Sequence, residues 1–86
     1  MVFYEVSVAH SAEKDLGNLA KSLVPVLWER IKALADEPRP RQAKKLKGAE
    51  KAYRLRVRGY RVVYTVDDEQ KLVTVIAIRH RKDVYR

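Results

Sequence analysis

The chain predicts an α+β domain of order βααβββ, with a helical hairpin packed on one face of a mostly antiparallel sheet. Three observations point to it. The first residues alternate apolar and polar side chains, two apolar stripes at helical spacing follow, and the second half returns to alternation broken by tight-turn residues.

Val2, Tyr4, Val6 and Val8 alternate with Phe3, Glu5 and Ser7, which predicts the first strand. Ser11 is a candidate N-cap for a helix with Ala12, Leu16, Leu19, Ala20 and Leu23 on its inner face. Glu13 and Asp15 suit the dipole of its first turn. Pro25 is tolerated at a helix start, so the segment from Ser22 to Pro25 ends one helix and opens the next. Leu27, Trp28, Ile31, Leu34 and Ala35 form the expected buried stripe of that second helix. Glu37-Pro38-Arg39-Pro40 stops it, because a residue before proline is pushed out of the helical region.

Residues 39–51 form a basic connector with Leu46 as its apolar anchor. From Tyr53 to Tyr64 apolar residues alternate with arginines, and Arg58-Gly59 stands where a two-residue hairpin turn belongs. That turn pairs Val57 with Tyr60 and sets Arg56 opposite Arg61, so Arg54, Arg56 and Arg61 share one face. Like charges facing each other across strands destabilise a sheet, which suggests that an anion belongs there. Asp67 to Lys71 is the next turn, and Leu72 to Ile78 is the last strand, rich in β-branched residues. If the bulkier Leu72, Ile76 and Ile78 face the helices, then Val73, Val75, Ala77, Arg79 and Arg81 lie on the arginine face. Val63, Val73, Val75 and Ala77 would then make an exposed apolar patch, a feature of partner sites.

Charge sharpens this reading. Residues 1–38 carry four Lys/Arg against six Asp/Glu, whereas residues 39–86 carry fifteen against five. The formal charge of +8 is therefore concentrated in the second half, as expected for a polyanionic partner. With no cysteine, disulfides and zinc-thiolate sites are excluded. There is no apolar run of membrane-spanning length and no signal-peptide pattern at the start, which fits a cytoplasmic protein that does not engage a membrane.

Four segments together resemble the RelE/ParE superfamily of toxins from toxin–antitoxin pairs, with the greatest likeness to the RelE branch. They are Ser11 to Leu16, the connector Lys44-Lys45-Leu46-Lys47-Gly48, the hairpin Tyr53 to Tyr64, and the ending Val75 to Tyr85. The resemblance spans nearly the whole of residues 1–86, which reads as a single RelE-like toxin domain. It implies an endoribonuclease that cuts messenger RNA in the ribosomal A site, using the ribose 2′-OH as nucleophile. No metal or other cofactor is implied. A ParE-like toxin that inhibits gyrase without cutting RNA, and an inactive RNA-binding member of the fold, are the alternatives.

Carried over by motif, Arg54 and Arg56 take two strand positions where the best-known relatives have lysines. Arg61 matches the arginine that holds the phosphate, Arg81 a second arginine near the leaving group, and Tyr85 the tyrosine proposed as general base. Arginine clamps phosphate bidentately but, with a pKa above ~12, is a poor proton shuttle. His80, intrinsically near ~6.5, is the alternative acid or base, although its register points it toward the core side. Lys44, Lys45, Lys47, Arg58, Arg79 and Lys82 are expected to contact RNA or ribosome phosphates. The implied partner is an acidic antitoxin that covers the arginines.

Overall fold

The computed structural model describes residues 3–46, 48 and 51–80. The alternating segments form strands β1 (Glu5–Val8), β3 (Ala52–Val57), β4 (Tyr60–Asp67) and β5 (Leu72–His80), and the two stripes form α1 (His10–Gly17) and α2 (Val24–Ala33). A two-residue strand, β2 (Lys44–Lys45), is added within the basic connector. The five-stranded sheet has the order β1-β5-β4-β3-β2. β1 runs parallel to β5 and every other pairing is antiparallel.

Both helices lie on one face of this sheet. Ala12 of α1 and Leu27, Ile31 and the adjoining Leu34 of α2 meet Leu55, Val57, Val62, Tyr64, Val66, Val73, Val75 and Ile78 in one core. Burying each large aliphatic side chain contributes about 1.5–3 kcal/mol against the cost of ordering it. Leu27, Ile31 and Leu34 repeat at i, i+4 and i+7, which is the face α2 turns inward. Trp28 does not join them. It sits beside that stripe and is 41% exposed, contrary to the expected buried position.

Helix α1 also departs from expectation at its start. Ala9 is the N-cap, His10 opens the helix exposed, and no side chain caps it. Ser11 instead donates its hydroxyl to the carbonyl of Ile76 at 2.7 Å. Asp15 lies in the last turn rather than the first, with its carboxylate committed to β5. Pro25 falls in the first turn of α2, as proline chemistry requires.

The facing of β5 needs correction. β4 pairs Val63 with Ala77 but Tyr64 with Val75, so Ile76 is an extra residue that bulges the strand. Before the bulge Val73 and Val75 point into the core and are fully buried. After it Ile78 does so, while Ala77 and Arg79 turn to the open face. Leu72 is half-buried on the open side, and Ile76 is 37% exposed. The expected apolar patch therefore loses Val73 and Val75, leaving Val63 and Ala77 partly exposed. It does not form a partner surface of the size the alternation suggested.

Candidate nucleic-acid interface

The β3–β4 hairpin has the expected two-residue turn. Arg58 and Gly59 both adopt positive φ, at 48° and 81°, which is the geometry of a type I′ turn. Glycine takes this conformation freely, but a residue with a Cβ does so at a cost of about 1–2 kcal/mol. Arg58 therefore stands at the tip of the hairpin in a strained position.

The pairings Arg56↔Arg61 and Arg61↔Arg79 continue across three strands. Three arginines thus form one cross-strand row on the open face, spanning about 10 Å at ordinary strand spacing. Arg61, in the middle, is 5% exposed, which departs from the solvated face that alternation suggested. Arg56 is exposed and Arg54 is half-buried. A groove of about 590 Å³ opens beside the row, lined by Gln42, Lys44, Arg54, Arg56, Arg58, Gly59 and Arg61.

The far end of β5 is held from α1. β1 ends at Val8, opposite Val75, so among the described residues the edge of β5 beyond that point lacks a neighbouring strand. Side chains from α1 replace it. Asp15 accepts a hydrogen bond from the Ile78 backbone N–H at 2.9 Å, and Ser11 satisfies the Ile76 carbonyl. The second oxygen of Asp15 lies 3.7 Å from Nη1 of Arg79, so the same carboxylate steadies the end of the arginine row. This role was not anticipated, although Ser11 and Asp15 at i and i+4 were bound to share a helix face.

The other expected contacts are placed as follows. Lys44 pairs with Arg54 and lines the groove, while Lys45 pairs with Tyr53; both lysines are exposed on β2. Arg79 lies on the open face opposite Arg61. His80 pairs with Tyr60, and the two rings meet edge-on with centroids 5.0 Å apart, on the core side as expected. Arg81, Lys82, Tyr85 and Lys47 lie outside the described residues. Gln42 was missed, because it is one neutral residue inside a basic run. Among the described residues, no group of three or more His, Cys, Asp or Glu is placed to hold a metal ion.

The opposite end of the sheet balances its charges. Arg39 donates to Asp68 at 2.6 Å and to the Tyr53 hydroxyl at 2.9 Å, and Tyr4 donates to the other Asp68 oxygen at 2.6 Å. The hydrogen bond from Arg39, then that from Tyr4, holds the Asp68 carboxyl down at about 2, and Arg39 is itself raised. Tyr64, beneath Tyr53, donates to the Pro38 carbonyl at 2.8 Å, and burial pushes its phenol up to about 12.

A two-helix layer on this sheet, with a cationic groove at the hairpin end, is the setting in which relatives become informative. The chain belongs to the ParE toxin family of type II toxin–antitoxin systems, whose family model matches residues 6–85. Within the wider RelE/ParE superfamily it falls on the RelE branch. It is 35% identical to a RelE-like toxin protein of Escherichia coli, over 95% of this chain and 90% of that protein. It is 33% identical, with the same coverage, to the mRNA interferase toxin RelE of Escherichia coli K12. The toxin–antitoxin complex RelBE2 of Mycobacterium tuberculosis contains a similar chain, with TM-score 0.82 and 29% identity over 93% of this chain and 100% of that one. The intact Escherichia coli RelBE complex gives TM-score 0.78 and 29% identity over 90% and 95% of the two chains.

Proposed function

We propose that this RelE-like toxin is a ribosome-dependent endoribonuclease that cuts messenger RNA in the A site. The observation that carries the reading is the row Arg56, Arg61 and Arg79 beside the cationic groove. Like charges set side by side across strands cost stability, and a phosphodiester, which accepts charge-assisted hydrogen bonds from several guanidinium groups at once, suits such a row. The naming of a 33% identical relative as an mRNA interferase supports the same chemistry.

In the proposed reaction the ribose 2′-oxygen attacks the adjacent phosphorus and the bond to the 5′-oxygen breaks. The products are a 2′,3′-cyclic phosphate and a 5′-OH. A base must take the 2′-OH proton and an acid must protonate the leaving 5′-oxygen. Arg54, Arg56 and Arg61 hold the phosphate and stabilise charge growing on its oxygens in the transition state. They keep their own protons throughout. Proton transfer is assigned to Tyr85, with Arg81 at the leaving group and His80, on the other face of β5, only as the alternative acid or base, and no metal takes part. Lys44, Lys45, Lys47, Arg58, Arg79 and Lys82 add electrostatic affinity for RNA phosphates.

The proposed cellular partner is an acidic antitoxin segment laid over the groove, where it blocks RNA. Solved relatives are toxin–antitoxin complexes, which supports this assignment. The test is to express the chain alone and follow messenger RNA integrity, translation and DNA supercoiling together. The reading expects translation arrest with cut messages and normal supercoiling. Intact messages with gyrase inhibition identify a ParE-like toxin instead, and intact messages with normal supercoiling identify an inactive member of the fold.

A further inference from the structure

A second groove, of about 320 Å³, lies behind the first, and Gln42 lines both. The two are separated by the outer end of β3. β2 pairs with β3 only at Tyr53 and Arg54, so among the described residues Leu55 to Val57 have no strand neighbour on that side. Arg54 and Arg56 face the first groove from this edge, and Leu55 faces the second. The linings differ in kind. The first offers five cations, whereas the second has a floor of Leu34 and Leu55, each 1% exposed, with Ala33 and Pro40 beside them and one cation, Arg30, set against Asp36, Glu37 and Gln42.

A phosphodiester oxygen can only accept hydrogen bonds, so the five cations of the first groove suit it better than the second, where Arg30 stands with two carboxylates. A nucleobase is the reverse, with an apolar ring face and an edge that mixes donors and acceptors. The Gln42 amide carries both a carbonyl acceptor and an NH₂ donor, unlike the Lys and Arg groups around it. Asp36 and Glu37 add acceptors, and Arg30 adds donors.

We propose that the second groove is a nucleobase subsite, in which Gln42 reads the edge of a base whose phosphate lies in the arginine groove. The inference rests on the RNA reading of that first groove. Ala33 and Pro40 offer the ring an apolar surface above the buried Leu34 and Leu55, and the two carboxylates favour bases with an exocyclic amino group. Adenine and cytosine fit, because Gln pairs with the adenine edge and a carboxylate accepts from the cytosine amino group. Uracil has no such group and offers the carboxylates only its ring N3–H.

The test is equilibrium binding of A₄, C₄ and U₄ oligoribonucleotides and of inorganic tripolyphosphate to the wild type and to Gln42→Leu. The wild type is expected to bind A₄ or C₄ about fivefold more tightly than U₄, in line with a hydrogen-bonded base contact. Gln42→Leu is expected to erase that preference, while tripolyphosphate, held by the five cations that remain in the first groove, loses much less. Equal wild-type affinity for all three oligonucleotides overturns the proposal. So does a Gln42→Leu variant that keeps the preference, or one that weakens tripolyphosphate to the same degree. Messenger cleavage is scored separately on the same preparation. A protein that discriminates bases yet never cuts keeps the subsite and loses the nuclease reading, whereas one that cuts without discriminating does the reverse.

Discussion

At the β4–β5 turn Arg39 meets Asp68 at 2.6 Å, with Tyr4 and Tyr53 completing the network. At the β3–β4 turn of the same sheet, Arg56, Arg61 and Arg79 stand side by side and Arg58 is held at positive φ. The first end spends its charges on holding the strands and the connector together. The second tolerates repulsion and backbone strain, partly offset by Asp15 reaching across from α1. Clustered like charge and backbone strain at one end of a fold mark where ligand binding belongs, because an anion there offsets the cost.

The sharpest way to break this comparison is Arg61→Ala. Losing one cation aimed at the transition state is expected to lower single-turnover RNA cleavage by about 10²–10³-fold. Cleavage at the wild-type rate, in a variant shown by circular dichroism to be folded, contradicts the assignment.

Asp15→Ala attacks the support of the same end. It leaves the Ile78 N–H without its partner, at a cost of about 1–3 kcal/mol. A domain of this size loses roughly 4–8 °C of Tm for each kcal/mol, so thermal denaturation resolves the change easily. Asp15→Asn keeps an acceptor for that N–H and is expected to fall between the two.

Arg58→Asn sharpens the contrast from the other side. Asparagine suits a type I′ turn, so the variant is expected to gain up to about 1 kcal/mol of stability. RNA affinity should fall, with the salt dependence of binding shallower by about one phosphate contact. A loss of stability would show that Arg58 is there for the fold.

Asp68→Asn is the smallest effect, because the ion pair with Arg39 is exposed. It should lower Tm slightly at neutral pH and leave cleavage unchanged. The sign of its pH dependence is set by a carboxyl whose folded-state pKa is depressed to about 2. Its contribution is full above the ordinary carboxylate pKa and is lost as pH falls through about 2. Wild type and Asp68→Asn should therefore converge at that acidic limit. Tyr64 acts in the opposite direction, since its raised phenol contributes below the ordinary tyrosine pKa and that stability is lost as pH rises through about 12.

Much of this contrast was legible in residue order. Period-two alternation and Gly59 sufficed to pair Arg56 with Arg61 and to put Arg54 on the same face. The phase of β5 was not legible, because Leu72 and Ile76 are as apolar as Val73 and Val75 and alternation cannot choose between them. The Ile76 bulge then uses one phase before it and the other after. β2 was hidden for a different reason, since two lysines have no apolar pattern and pair only because the edge of β3 is available. Asp15 and Gln42 carry ordinary surface chemistry, and only the fold sets Asp15 against the β5 edge and Gln42 between the two grooves.

The central claim is that the basic end binds RNA for cleavage and is not required for folding. Primer extension on messages from programmed ribosomes, under single-turnover conditions, tests it with wild type beside Arg56→Ala. Arg56 is exposed, so its removal should leave Tm unchanged or higher. The account predicts a wild-type cut within the A-site codon that weakens at least tenfold in Arg56→Ala, in line with the loss of a transition-state contact. An uncut message with the wild type, or equal cutting by a variant of unchanged Tm, contradicts it.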